Sequence, residues 1–126
     1  MEDNLYKFLG EEIRGVKGQD AIYALIKRQA GYVKNAFRRD DIGYINLIWG
    51  DESCGLMHII NQRKKQGINA MEFLSDIESV IINGVMSKNK KGRFELLYKN
   101  RIAIISPELR GNKMTFLLTA YKTRKK

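Results

Sequence analysis

The feature that most constrains the fold is a change of pattern in about the last forty residues of the chain. Short segments rich in β-branched and aromatic residues follow one another there, and the polar connection Lys99-Asn100 has only two residues. This spacing predicts antiparallel strands in a meander, with Asn100 at positive φ in a tight hairpin and Pro107 at the end of its strand. The segments are VMS, GRFELLYKN, RIAIISPE and KMTFLLTAYK.

The earlier part of the chain shows mostly helical periodicity. Residues 3–9 and 19–30 are predicted as helices, 31–49 as a β-hairpin with the turn RDD, 55–65 as a helix, and 69–83 as a helix capped by Asn69. Helices gathered early and strands late indicate an α+β fold. We expect an antiparallel sheet of about four strands, with the N-terminal and central helices packed on one face.

Strict alternation along the last strand predicts which side chains face away from the helices. Thr115, Leu117, Thr119 and Tyr121 are expected on one side, and their neighbours on the other. The side with the threonines and the tyrosine is therefore the candidate working surface.

Length and charge limit the classes of function. The 126 residues predict a single domain over 1–126, with a helical part over about 1–30 and a core over about 31–122. The 23 Lys and Arg against 14 Asp and Glu give a net charge of +9, which favours a polyanionic partner such as nucleic acid. No apolar run approaches the roughly 20 residues of a membrane span.

The cysteine and histidine counts argue against a disulfide and against a structural metal. One cysteine, Cys54, and one histidine, His58, cannot supply the usual four zinc ligands. Without a recognisable secretion signal, the chain is expected to act in a reducing compartment, namely the cytoplasm, or to be delivered as part of a larger protein. No metal and no cofactor is predicted.

His58 is the first candidate catalytic residue. An unperturbed histidine titrates at about pH 6.5, so it can both accept and donate a proton near neutral pH. A metal-free ribonuclease needs such a group, because the RNA 2′-OH must lose a proton and the leaving 5′ oxygen must gain one. The alternative is a partly buried histidine with a structural role.

Cations and hydroxyls complete the candidate site. Arg63 lies on the apolar stripe of its helix and so must be held by a partner, whereas Lys64 and Lys65 follow it on the surface. Arginine can clamp a phosphate with two hydrogen bonds, and lysine presents a point charge. Thr119 and Tyr121 can bind a phosphate oxygen or stack on a base.

The stretches IGYINLIWG, CGLMHIINQR and LLTAYK occur in that order. Together they resemble the barnase, EndoU, colicin and RelE-like nuclease group of phage and polymorphic-toxin proteins, over about residues 31–122. The resemblance implies a metal-independent endoribonuclease, often a delivered toxin module, as in contact-dependent inhibition, that is restrained by an immunity protein. It also implies His58, Thr119 and Tyr121 as catalytic residues, with Arg63 where many relatives have a second basic residue.

The two lines of argument lead to one hypothesis. The chain is expected to cleave RNA by 2′-OH transesterification, and tRNA is one candidate substrate. Because there is only one histidine, Tyr98, a lysine or water must act as the second acid or base. Two alternatives stay open: a non-catalytic nucleic-acid-binding module, and an interaction protein whose basic surface meets an acidic partner. The predicted catalytic residues are His58, Arg63, Thr119 and Tyr121, and the predicted substrate-binding residues are Lys64, Lys65, Arg93 and Tyr98.

Overall fold

The computed structural model describes residues 3–123, and the ends of the predicted domain, 1–2 and 124–126, lie outside the described residues. Within this range the chain forms helices and strands in the predicted order, first mostly helical and then mostly extended. The helices are α1 (Asp3–Leu9), α2 (Gly18–Arg28), α3 (Gly55–Lys65), α4 (Ala70–Leu74) and α5 (Ile77–Asn83). The strands are β1 (Tyr32–Arg39), β2 (Gly43–Ile48), β3 (Val85–Lys88), β4 (Phe94–Tyr98), β5 (Arg101–Leu109) and β6 (Asn112–Lys122).

The strands form one six-stranded sheet in the order β1-β2-β6-β5-β4-β3. The α+β class is as predicted, but the sheet is larger than the predicted four strands and it is mixed. β2 pairs with β6 in parallel through a single bridge, Asn46 to Phe116, and this bridge joins the early hairpin to the late meander. The Asn46 side chain reinforces the junction, because its Nδ2 donates to the Thr115 carbonyl of β6 at 3.0 Å.

The meander β3–β6 has the register that its short connections impose. Tyr98 pairs with Arg101 across the two-residue turn, as expected for a tight hairpin. It is Lys99, at φ +56°, and not Asn100 that takes the positive φ. Pro107 does not end β5 but lies inside it, at an irregularity between Ser106 and Glu108 where the pairing with β6 is interrupted, so its missing N–H breaks no ladder bond.

The sheet carries an apolar core on each face, which differs from the prediction that all helices share one face. Helices α2 to α5 pack on one face, where Leu25, Ile59 and Ile77 meet the sheet residues Leu117 and Ala120. Helix α1 packs on the opposite face. Its contacts there, within a second cluster, are with Ile48, Leu109, Met114 and Phe116.

The predicted helix over 69–83 is interrupted at Ser75 and Asp76, giving α4 and α5. Its N-terminal cap is as predicted, since the Asn69 side chain accepts from the Glu72 N–H at 3.0 Å. The interruption is stabilised from the sheet: the Arg101 guanidinium donates to the Phe73 carbonyl at 2.8 Å and to the Asp76 carboxylate. A tertiary contact of this kind outweighs local helix propensity.

Candidate active site

His58 lies in the first turn of α3, half-buried, with its ring anchored to the loop before the helix. Its Nδ1 lies 2.8 Å from the backbone oxygen of Glu52. A carbonyl oxygen can only accept, so Nδ1 carries a proton and the imidazole is held in one orientation. Nε2 is thereby left as the nitrogen that exchanges a proton with a ligand.

The loop that holds His58 is itself ordered by Asp51. The Asp51 carboxylate accepts from the Ser53 N–H at 2.8 Å and from the Ser53 Oγ at 2.7 Å, and it lies 3.7 Å from the Arg110 guanidinium. Burial raises the pKa of Asp51, but the bonds from Ser53 and Cys54 and the charge of Arg110 together bring it below its ordinary value of 3.8. The ionised carboxylate therefore stabilises this loop.

We expect Asp51→Asn to lower the urea midpoint of unfolding at pH 6 and to do so less as the solution is acidified. Because the folded-state pKa of Asp51 is depressed, its contribution is fully present above the ordinary value of 3.8 and is lost as the pH falls through the lower folded value. The effect is small, since 42% of the side chain is exposed. A difference between wild type and variant that stays constant from pH 6 to pH 3 would contradict this account.

Arg63 is not placed to hold a phosphate. Its side chain is only 5% exposed, its guanidinium donates to the Ala120 carbonyl of β6, and its Cζ lies 5.8 Å from the centre of the Phe73 ring. Burial lowers the pKa of this guanidinium, while the nearby Tyr121 opposes that shift. The expectation that Arg63 must have a partner is met, but the partner is the last strand, so its position fits a residue that fixes α3 against β6.

Thr119 and Tyr121 lie together on the face of β6 that points away from α2 to α5. Their position on this face depends on an irregularity in β6, which strict alternation of side chains does not predict. Ile105 pairs with Leu117 and Ile104 with Thr119, so Leu118 is an extra residue in β6. This bulge turns Leu117 into the helix-covered core and separates it from Thr119, which corrects the predicted grouping of the two.

A cleft of about 410 Å³ surrounds the two hydroxyl side chains. Arg93, predicted to bind substrate, lies in it, and so do Lys90 and Lys91 from the loop between β3 and β4. The Glu95 carboxylate lies in the same cleft and accepts from the Asn89 Nδ2 at 3.2 Å. One cleft therefore combines a carboxylate, a guanidinium, two ammonium groups, a hydroxyl and a phenol.

Helix α3, which carries His58, lies against β6, the strand that carries Thr119 and Tyr121 of the cleft. Cys54, just before α3, packs with Leu118 on one side of β6, whereas Ile59 packs with Ala120 on the other. His58 itself is not among the residues that line the cleft, and the side of β6 on which Ile59 packs is opposite to Thr119 and Tyr121. The strand that carries Thr119 and Tyr121 is the strand against which the histidine helix is fixed.

The remaining predicted substrate-binding residues occupy two other places. Lys64 and Lys65 are exposed and line a groove on α3 together with Asn61, Gln62 and Glu52, whose carbonyl holds His58. Tyr98 pairs with Arg101 and packs against the helix-covered core. That is the opposite face from Thr119 and Tyr121, so its position does not support the predicted contact with substrate.

Glu95 was not identified from the sequence, although a signal for it exists. The two-residue connection Lys99-Asn100 sets the register of β4 and β5, in which Glu95 pairs with Ile104 and Ile104 pairs with Thr119. Paired residues share a face of the sheet, so alternation and turn length together place this carboxylate beside the threonine.

Other chemistries find less support among residues 3–123. Cys54 is buried. Burial is the main cause, and the charge of the nearby Asp51 the second, of a raised pKa for its thiol, which disfavours the reactive thiolate. Nowhere in this range do three His, Cys, Asp or Glu side chains converge as a metal site. The helices of this range are also too short or too polar to cross a bilayer.

Comparison with protein families gives a match over the C-terminal part of the chain. The model of a family described as phage-Barnase-EndoU-ColicinE5/D-RelE like nuclease1 matches residues 36–126, which include α3, the cleft and β6. A search of curated proteins gives no match.

Proposed function

The chain belongs to the phage-Barnase-EndoU-ColicinE5/D-RelE like nuclease1 family, and we propose that it is a metal-independent endoribonuclease acting through the 2′-OH of its substrate. One observation carries this proposal: a carboxylate, a guanidinium, a hydroxyl and a phenol line one cleft on the strand that holds the histidine helix. Such a set of groups can transfer protons and stabilise a phosphorane with the charges of side chains alone, so the reaction does not require a bound metal ion.

Electrostatics favour a phosphodiester at this place. The net charge of +9 attracts polyanions, and Lys90, Lys91 and Arg93 concentrate positive charge at the cleft. The only carboxylate lining the cleft among the described residues is Glu95. We therefore assign Arg93 and the two lysines to the non-bridging phosphate oxygens, with Lys64 and Lys65 contacting the flanking backbone of the RNA.

The proposed reaction has one proton acceptor and one proton donor. The Glu95 carboxylate takes the proton of the 2′-OH as the O2′–P bond forms, and His58 in its imidazolium form gives its Nε2 proton to the 5′ oxygen as the P–O5′ bond breaks. The products are a 2′,3′-cyclic phosphate and a 5′-OH, so atoms and charge balance. Glu95 thus replaces Tyr98, a lysine or water as the second group.

The two hydroxyl side chains of β6 contact the substrate in this scheme. Thr119 donates to a non-bridging oxygen, and Tyr121 stacks on a base or binds the ribose. Arg63 acts through the backbone of β6: by binding the Ala120 carbonyl between them, it fixes the spacing of Thr119 and Tyr121 relative to α3. It is a positioning residue and touches no substrate.

The proposal extends to biological role. A ribonuclease of this family with no partner would damage the cell that makes it, so we propose a toxin that acts in the cytoplasm of a target cell and is restrained by an immunity protein. We also propose a cellular RNA as the substrate, with tRNA as one candidate.

We expect purified protein to cleave total RNA in the presence of EDTA and to leave 2′,3′-cyclic phosphate ends. The protein can also be expressed briefly in a bacterial culture. Mapping the RNA ends in these cells identifies the RNA that is cut, and the growth of the culture tests toxicity. Thr119→Val removes the hydroxyl without changing the shape of the side chain and should slow cleavage, whereas Thr115→Val on the same strand should not. RNA that stays intact but bound would instead favour a non-catalytic nucleic-acid-binding module.

A further inference from the structure

A second cavity lies on the sheet face that carries Thr119 and Tyr121, where α1 crosses β1 and β6. Its volume is about 440 Å³, and Met114 of β6 lines it together with residues of α1 and β1. Met114 packs in the same cluster as Phe116 and Leu118, which share the cleft's side of β6. Met114 and Thr119 are five positions apart in β6, roughly 16 Å at about 3.3 Å per residue.

Two tyrosines give this cavity aromatic walls. Tyr6 projects from α1 and is 50% exposed, although Leu5 and Leu9 of the same helix are buried. Tyr32 begins β1 and is half-buried in the same cavity. Aromatic faces at a solvent-filled cavity are platforms on which unpaired bases stack.

The polar groups of the cavity suit a nucleotide. Lys34 and Lys113 supply positive charge, and the carboxylate of Glu12 lies 3.5 Å from the Arg14 guanidinium. A phosphate bound here is attracted by two lysines, and the negative charge of the Glu12 carboxylate is offset by Arg14.

Asn35 is the most unusual residue of the cavity. It sits at φ +55°, where the pairing of β1 with β2 is irregular, and its backbone N–H donates to the Asn46 Oδ1 at 2.7 Å. Non-glycine residues at positive φ are uncommon, and asparagine adopts this conformation more readily than most. Among the hydrogen bonds of residues 3–123 none uses the Asn35 side-chain amide, so both its donor and its acceptor can meet the edge of a base.

We propose that this cavity is a base-binding subsite for a single-stranded stretch of the RNA substrate, several nucleotides from the cleaved bond. The base stacks on Tyr6, Tyr32 forms the opposite wall, the Asn35 amide contacts the edge of the base, and Lys34 and Lys113 hold the adjoining phosphates. Four of these five residues precede the region 36–126 shared with the family, so the subsite is built largely by this chain's N-terminal segment. The inference rests on the proposed function for the identity of its ligand.

The test measures binding separately from cleavage. A fluorescein-labelled ten-nucleotide 2′-O-methyl RNA has no 2′-OH to attack, so its anisotropy reports affinity alone. Tyr6→Ala should weaken binding by about five- to a hundredfold, as expected for the loss of one stacked base, and Tyr6→Phe should leave it unchanged. Tyr23→Ala on α2, where the side chain is 43% exposed, is the matched control and should bind as wild type.

The outcomes separate the two proposals. If Tyr6→Ala and Tyr23→Ala bind this oligonucleotide equally well, the subsite is wrong whatever the protein does to RNA. If Tyr6→Ala loses affinity while wild type cuts no RNA, the subsite stands and the ribonuclease proposal fails. With both correct, Tyr6→Ala raises KM for RNA cleavage and leaves kcat near the wild-type value.

Discussion

Replacement of His58 by alanine is expected to slow RNA cleavage by about 100- to 10,000-fold, the range for loss of one positioned acid or base. The proposed donor is the Nε2 of a ring whose Nδ1 is fixed on the Glu52 carbonyl. Alanine removes the donor and leaves the cations of the cleft in place. Binding of an uncleavable RNA should therefore be nearly unchanged, so that the loss lies in kcat.

The same substitution should cost little stability. It removes one hydrogen bond, worth about 0.5–1.5 kcal/mol, from a half-buried position. Alanine also has a higher helix propensity than histidine, which offsets part of this loss in α3. We expect a decrease of a few degrees at most in the melting temperature.

Met57→Ala is the matched control for this experiment. Met57 precedes His58 in α3 and is half-buried as well. It should retain wild-type cleavage. A large fall in melting temperature with normal cleavage in His58→Ala would instead assign His58 a structural role and leave Glu95 without its proposed partner.

The sequence predicted well those elements that depend on local pattern. The meander followed from β-rich segments joined by connections too short for anything but antiparallel neighbours, and the Asn69 cap from the residue type alone. The nuclease family was predicted from three short stretches and is confirmed by the match over residues 36–126.

Features set by tertiary contacts were not predictable in this way. The parallel junction of β2 and β6 depends on one bridge and on the Asn46 side chain, neither of which leaves a periodic signal. Helix α1 is short and amphipathic, and its pattern does not state which face of the sheet it covers. The interruption between α4 and α5 depends on Arg101, which lies in another element.

The candidate site shows the same division. The single histidine stood out by its chemistry, and it lies half-buried with its Nδ1 on the Glu52 carbonyl. The bulge at Leu118 could not be inferred, because an extra residue in one strand looks like ordinary sequence until its partner strand is known. Arg63 was correctly placed on the buried stripe, but the identity of its partner required the fold.

Arg63→Ala is expected to lower the free energy of unfolding by about 2–4 kcal/mol. The Ala120 carbonyl would lose its donor inside the core, at about 1–3 kcal/mol, and a cavity would remain beside Phe73. Lys64→Ala, which removes the same charge from the next and exposed position, should change stability by less than about 0.5 kcal/mol. Urea unfolding of the three proteins measures both effects.

Arg63→Met separates the volume of the side chain from its hydrogen bond. Methionine can fill most of the space, and it also removes the cost of burying a guanidinium whose Nε has no partner among the described residues. This variant should therefore be more stable than Arg63→Ala but should still leave the Ala120 carbonyl unpaired. Loosening of β6 would then reduce cleavage by displacing Thr119 and Tyr121 from α3. If Arg63→Ala kept its full stability and lost cleavage, the guanidinium would be contacting the phosphate after all, and the burial of Arg63 against β6 could not persist in the complex with RNA.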